Sequence, residues 1–152
     1  MQVLHMLPER KPLPHRIPFW VDNGAEYFIT VCTQPKGENH LCNPEIWKLI
    51  CTSLQFRQDR GDLWVHLLLL MPDHLHAIMS FSPMVGMEQS MNDWKRYTSV
   101  KGGVNWQRDF FDHRLRKDEI YAEKAHYIRM NPIRAGLAIK PEDWPYVMES
   151  KR

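Results

Sequence analysis

The sequence has no run of 18 apolar residues. Its longest uninterrupted stretch, Leu67 to Met71, is the length of a strand, so no membrane-spanning helix is expected. Cysteine is scarce. Cys32, Cys42 and Cys51 lie ten and nine residues apart without a CxxC pair, which reads as reduced thiols rather than a disulfide scaffold or a zinc knuckle. The seven glycines form no phosphate-cradling loop, and the net charge of +2 is too small to announce a partner by itself. What is there, 152 residues that are 43% apolar and 25% charged, is the composition of one cytoplasmic globular domain. A chain of this length buries roughly two-thirds of its unfolded surface without covalent staples.

The distribution of charge says more than its sum. Between Lys95 and Lys117 seven basic residues (Lys95, Arg96, Lys101, Arg108, Arg114, Arg116, Lys117) stand against two acidic ones. Tyr97, Trp106, Phe110 and Phe111 are interleaved with them. Cations that neutralise phosphates beside aromatics that stack on bases are the ingredients of single-strand nucleic-acid binding. The plainer reading is a solvated helix face followed by a strand with inward aromatics. Residues 1–20 carry Pro8, Pro12, Pro14 and Pro18 with Arg10, Lys11, His15 and Arg16 among them. They read as an extended basic arm, with residues 21–152 as a single domain.

Tyr27 to Thr33 is β-branched and aromatic, the pattern of a first strand. Asn43-Pro44 opens a helix whose Ile46, Leu49, Ile50 and Leu54 recur at helical spacing and which Gly61 ends. Leu63 to Met71 does not alternate and reads as a strand near the middle of a sheet. After a Pro72-Asp73 turn, His74 to Phe81 does alternate. Further elements are a helix over Glu88 to Val100 stopped by Gly102-Gly103, a strand over Phe110 to Arg116, and a last helix from Asp118 to Met130. That helix is expected to finish before Pro132. The order predicts an α+β fold, a ferredoxin-like (split βαβ) sandwich with an antiparallel sheet and an added C-terminal helix. Two helices are expected on one sheet face, leaving the other face available.

His74 and His76 stand at i and i+2 of a strand and project from one face, toward that available side. Two neutral imidazoles can share one divalent ion, but the pair needs at least one more ligand, and two surface histidines are the plainer alternative. His66, in an apolar strand, reads as a hydrogen-bonded core or edge residue. On the last helix Tyr121, Ala125 and Ile128 form the buried stripe. Lys124, Tyr127 and Asn131 form a neighbouring one that presents a cation, a phenol and an amide. A helical tyrosine beside a core stripe is ordinarily a packing residue. As a nucleophile toward a phosphodiester, a phenol needs the phosphate polarised by a metal. Two histidines, an asparagine oxygen and a phosphate oxygen would make a mixed site for Mg²⁺ or Mn²⁺, with imidazole better matched to Mn²⁺.

Met71-Pro72-Asp73-His74-Leu75-His76 resembles the HUH motif (histidine, hydrophobic, histidine) of the IS200-like single-tyrosine transposases. Tyr127-Ile128-Arg129-Met130-Asn131-Pro132-Ile133-Arg134-Ala135-Gly136-Leu137 is similar to the tyrosine helix and following turn of their REP-associated branch. Trp106 to His113 and Trp144-Pro145-Tyr146 resemble the flanking segments, so the likeness runs in order from about residue 15 to residue 146. The resemblance implies a ferredoxin-like enzyme that binds hairpin-forming single-stranded DNA and cleaves it through a 5′-phosphotyrosine, leaving a 3′-OH. It implies Tyr127 as nucleophile, with His74, His76 and Asn131 as metal ligands for Mg²⁺ or Mn²⁺. DNA contacts are expected from Arg10, Lys11, His15, Arg16, Lys95, Arg96, Arg108, Arg114, Arg116 and Lys124. A monomer or a homodimer fits, in the cytoplasm and at the nucleoid when bound to DNA. The alternative from another class is a non-catalytic single-stranded nucleic-acid-binding module. A phosphoesterase of the two-histidine type is excluded, because the chain lacks the pair of H-x-[ST] motifs that chemistry requires.

Overall fold

The computed structural model describes residues 17–22 and 24–150. Arg10, Lys11, His15 and Arg16, the expected basic arm, lie outside the described residues. The chain runs through α1 (Phe19–Asp22), β1 (Glu26–Cys32), α2 (Pro44–Asp59), β2 (Leu63–Met71), β3 (His74–Phe81), α3 (Met87–Gly102), β4 (Phe111–Leu115), α4 (Asp118–Arg134), a 3-10 turn (Pro141–Asp143) and β5 (Val147–Glu149).

The sheet order is β4-β1-β3-β2-β5 with every pairing antiparallel. Its first four strands are the ferredoxin-like arrangement that the element order predicts. One core lies between the sheet and α2 and α3, joining Ile50, Leu54, Met91 and Trp94 to Ile29, Val31, Leu75, Ala77 and Met79. The helices are fastened to each other where the Trp94 indole donates to Ser53 Oγ at 2.9 Å. At Gly102 they approach so closely that a β-carbon would stand 2.5 Å from a Leu49 methyl. Gly103 then ends α3 in a left-handed conformation, φ +69, that glycine adopts without steric cost.

The second face of the sheet is not bare. Phe28, Leu67, Leu69, Met71 and Ile78 pack against Tyr121, Ala125 and Ile128 of α4 in a separate core, so the expectation of an open face is corrected. The cause is the amphipathic stripe of α4, whose buried side has nowhere else to go. The unpatterned β2 run has the same explanation: Leu68 and Leu70 face one core, Leu67 and Leu69 the other. A bulge between Val65 and Leu67 switches the parity, so that Leu63 and Val65 share a face with Leu68 and Leu70. His66 sits at this irregularity, buried, with Nε2 2.9 Å from Ser80 Oγ.

The expected end of the last helix before Pro132 is also corrected, because α4 continues through that proline to Arg134. In the final turn a proline removes one helix hydrogen bond, and here its ring is buried against the fold. The exposed carbonyls are recovered beyond it: Ala135 N donates to Asn131 O, Gly136 N to Ile133 O and Leu137 N to Pro132 O. From β5, Glu149 accepts from the Arg129 guanidinium and from the Tyr121 hydroxyl, tying α4 to the sheet edge.

Candidate active site

The hairpin between β2 and β3 places the histidines. Its tip is pinned to the loop after β1: Asp73 O accepts from Thr33 N at 2.9 Å, and Asp73 Oδ2 accepts from Gly37 N at 2.8 Å. The other carboxylate oxygen of Asp73 lies 2.8 Å from His74 Nδ1. Burial works against the Asp73 carboxylate, but the Gly37 N–H and the His74 ring outweigh it and hold its pKa below the usual range. Cross-strand register sets the second imidazole, since Thr30 is paired with His76 and its Oγ1 stands 2.9 Å from His76 Nδ1. Both imidazoles are thus engaged at Nδ1. When Nδ1 carries the proton and donates to its partner, Nε2 is left with its lone pair free, the arrangement in which a partner at one ring nitrogen orients the other as a ligand.

His76 is 6% exposed and stacks on Phe28, with centroids 5.4 Å apart and planes at 19°. Burial, with the nearby charges of His74 and Arg134 adding to it, pushes its pKa down to about 3. It is therefore neutral across the physiological range, the form that binds metals. The two histidine rings are 4.8 Å apart and nearly perpendicular.

α4 brings Tyr127 to this pair. Its ring is 6.1 Å from the His76 ring and 6.3 Å from Phe28, edge-on to both, and the residue is 47% exposed. Lys124 Nζ lies 5.2 Å from the Phe28 centroid and 5.9 Å from that of Tyr127. Asn131, one turn after Tyr127, has a buried amide nitrogen with no hydrogen-bond partner. Because amide oxygen and nitrogen exchange by a simple flip, this is a buried polar group that a ligand could satisfy. Among the described residues no three His, Cys, Asp or Glu converge on one point, so they form no closed cage of the structural-zinc kind. Two imidazoles each held at one ring nitrogen, with a buried unpartnered amide nitrogen one turn beyond Tyr127, are a donor set that suits a divalent ion with open positions for substrate.

The basic segment divides. Lys95 is 8% exposed and its ammonium donates to Gln107 O and Arg108 O, holding the loop that leads to β4 rather than facing solvent. Trp106 and Phe110 pack on the core as well. Arg96 and Arg108 line a shallow hollow with Trp106 on the α3 side. Arg114 is paired with Tyr27, which packs on the α2–α3 core, so it lies on the sheet face away from the histidines. Arg116, just past β4, lines a cavity of about 410 Å³ with Trp64 and His66. Of this segment Phe111 shares the histidine face. It is paired with Thr30, which is in turn paired with His76, and it is 58% exposed, with its ring 6.2 Å from Phe28. Sequence reasoning missed Thr30 and Arg134 at this site. The one sign of Thr30 was its alternation within β1, which gives a face but not a partner.

No protein-family model matches the chain. The chain is 26% identical over 131 residues to the REP-associated tyrosine transposase of Escherichia coli K12, a match covering 81% of this chain and 75% of that protein. It is 24% identical over 146 residues to a Haemophilus influenzae Rd protein provisionally given the same name, over 81% and 78% of the two chains. The solved structure of a REP-associated tyrosine transposase bound to a REP hairpin superposes with a TM-score of 0.73 at 20% identity. That match covers 82% of this chain and 76% of that one, and it shows a shared fold.

Proposed function

Since this chain is an IS200-like relative of the REP-associated tyrosine transposases, we propose that it is a transposase-type enzyme acting on DNA. In this reading it is a metal-dependent single-stranded endonuclease and strand transferase for hairpin-associated DNA. The observation that carries the reading is the meeting of Tyr127 with His76 at 6.1 Å, beside a second imidazole likewise held at Nδ1.

Tyr127 is the nucleophile. Its phenol oxygen attacks the scissile phosphorus, its proton passes to solvent, and the P–O3′ bond breaks. The products are a 5′-phosphotyrosine and a DNA end that takes up a proton as a free 3′-OH. The reverse attack by a 3′-OH rejoins strands, and no nucleotide energy source is needed. His74, His76 and Asn131 would hold the divalent ion, Mn²⁺ or Mg²⁺, which supplies Lewis-acid polarisation of a phosphate oxygen. Asp73 and Thr30, each at an Nδ1, would orient the two imidazoles with Nε2 toward the ion, and burial favours the neutral form of His76 that ligation needs. Lys124 lies where it can meet the phosphate backbone. Residues 1–20 act as an arm contacting DNA beside the hairpin, and residues 21–152 as the catalytic domain.

The test is hairpin DNA with single-stranded flanks, incubated with Mn²⁺. Tyr127→Phe is expected to retain binding and lose both cleavage and the covalent adduct. His76→Ala is expected to lose Mn²⁺-dependent cleavage with DNA affinity within a few fold, because phosphate contacts dominate affinity. Undiminished adduct from Tyr127→Phe, or equal cleavage in chelator and in Mn²⁺, refutes the proposal. Binding without cleavage by the unaltered chain would make it a binding module.

A further inference from the structure

Arg134 occupies the last turn of α4, two helical turns beyond Tyr127 and on the same side of the helix. Its guanidinium carbon lies 4.3 Å from the centroid of the Tyr127 ring, and its Nη2 donates to the Tyr127 carbonyl at 2.7 Å. Among the described residues its remaining N–H groups make no hydrogen bond. One side chain thus holds both the backbone and the ring of a single residue. The carbonyl bond ties the guanidinium to α4, and the ring lies against it. The phenol's other ring neighbours are Phe28 and His76, met edge-on at 6.3 and 6.1 Å.

Resting on the nuclease reading above, we propose that Arg134 is the positioning residue of Tyr127, a clamp that keeps the phenol turned toward the histidine pair. The continuation of α4 through Pro132 has its use here. Had the helix stopped before that proline, residue 134 would not stand over residue 127 in helical register. Lysine is not equivalent to the clamp, since a point charge on a flexible stem has no second, rigidly placed N–H to donate to the carbonyl while it sits over the ring.

The test reads the ring directly, in DNA-free and metal-free protein labelled with 3-fluorotyrosine, with the Tyr127 resonance assigned from Tyr127→Phe. Arg134→Gln is expected to shift that resonance and leave the other tyrosines in place, with the circular dichroism unchanged. In single-turnover assays with a hairpin and Mn²⁺, adduct formation is expected to slow about 10–100-fold while hairpin affinity stays within about threefold. That is the signature of lost near-attack geometry rather than lost binding. Arg134→Lys, which keeps the charge and the fold, is expected to stay within about threefold of Arg134→Gln. An unmoved Tyr127 resonance in both variants, or full recovery of rate with lysine, overturns the clamp. A wild-type chain that forms no adduct overturns the nuclease reading instead, and the resonance shift alone then decides the clamp.

Discussion

Thr30→Val removes one oxygen from the site and nothing else of comparable size. Thr30 Oγ1 is the hydrogen-bond partner of His76 Nδ1 at 2.9 Å, and His76 is 6% exposed, so water does not readily replace it. Leaving a buried ring nitrogen unpaired costs about 1–3 kcal/mol. In a domain of this size that lowers the melting temperature by about 2–12 °C. The same change frees the imidazole to rotate or switch tautomer, and loss of such an orienting partner weakens metal binding about 10–100-fold. The assay is urea and thermal unfolding of the metal-free protein, then calorimetric titration with Mn²⁺. Repeating the stability measurement in a His76→Ala background closes a double-mutant cycle, in which the cost of Thr30→Val should largely vanish. Equal cost in both backgrounds, or unchanged Mn²⁺ affinity, would refute the argument that Thr30 acts through His76.

Phe111→Ala is expected to weaken binding of an unpaired DNA flank about 5–100-fold, since an exposed ring in line with Thr30 and His76 is a stacking surface for a base. Unchanged affinity in a fluorescence titration would remove it from the DNA path. Lys124→Ala should reduce the salt dependence of binding by about 0.7 in the log–log slope, whereas Arg114→Ala, on the opposite face, should leave it. A reversed pattern would place the DNA on the α2–α3 side. For pH, His76 has its folded pKa pushed from 6.5 to about 3, so below 6.5 the unfolded chain binds the extra proton. Its contribution to stability is complete above that pH and is lost as pH falls toward 3. Urea midpoints measured across this window should decline less steeply in His76→Gln, and parallel curves would contradict the assignment.

Much of the fold was legible because local chemistry and global packing agree. Asn43 accepts from Ile46 N as a helix cap, and the β3 alternation separates Leu75, Ala77 and Met79 from His76 and Ile78 as the two cores require. β2 was readable as a strand near the middle of the sheet, yet its bulge was not, since a parity switch follows from pairing and leaves no compositional mark. β5 escaped notice for a similar reason. Three residues, Val147–Glu149, become a strand only because β2 offers an edge and Glu149 finds Arg129. Pro132 misled because the rule against helical proline weakens in a final turn with a buried ring. At the site, strand alternation put His74 and His76 on one face and helical spacing put Tyr127 in line with Lys124 and Asn131, whereas their roles came from the family resemblance. Thr30 depends on cross-strand register, and the inward turn of Lys95 depends on carbonyls twelve and thirteen residues away. Neither relation is written in local sequence.

The central claim is that one phenol, Tyr127, takes the phosphate. Trypsin and nuclease digestion of the adduct formed with a hairpin substrate and Mn²⁺, followed by mass spectrometry, locates the attached 5′-nucleotide. The account predicts that the added mass lies on Tyr127, in the α4 peptide. Attachment at any other residue, or strand cleavage with no protein-linked nucleotide at any time point, would contradict it.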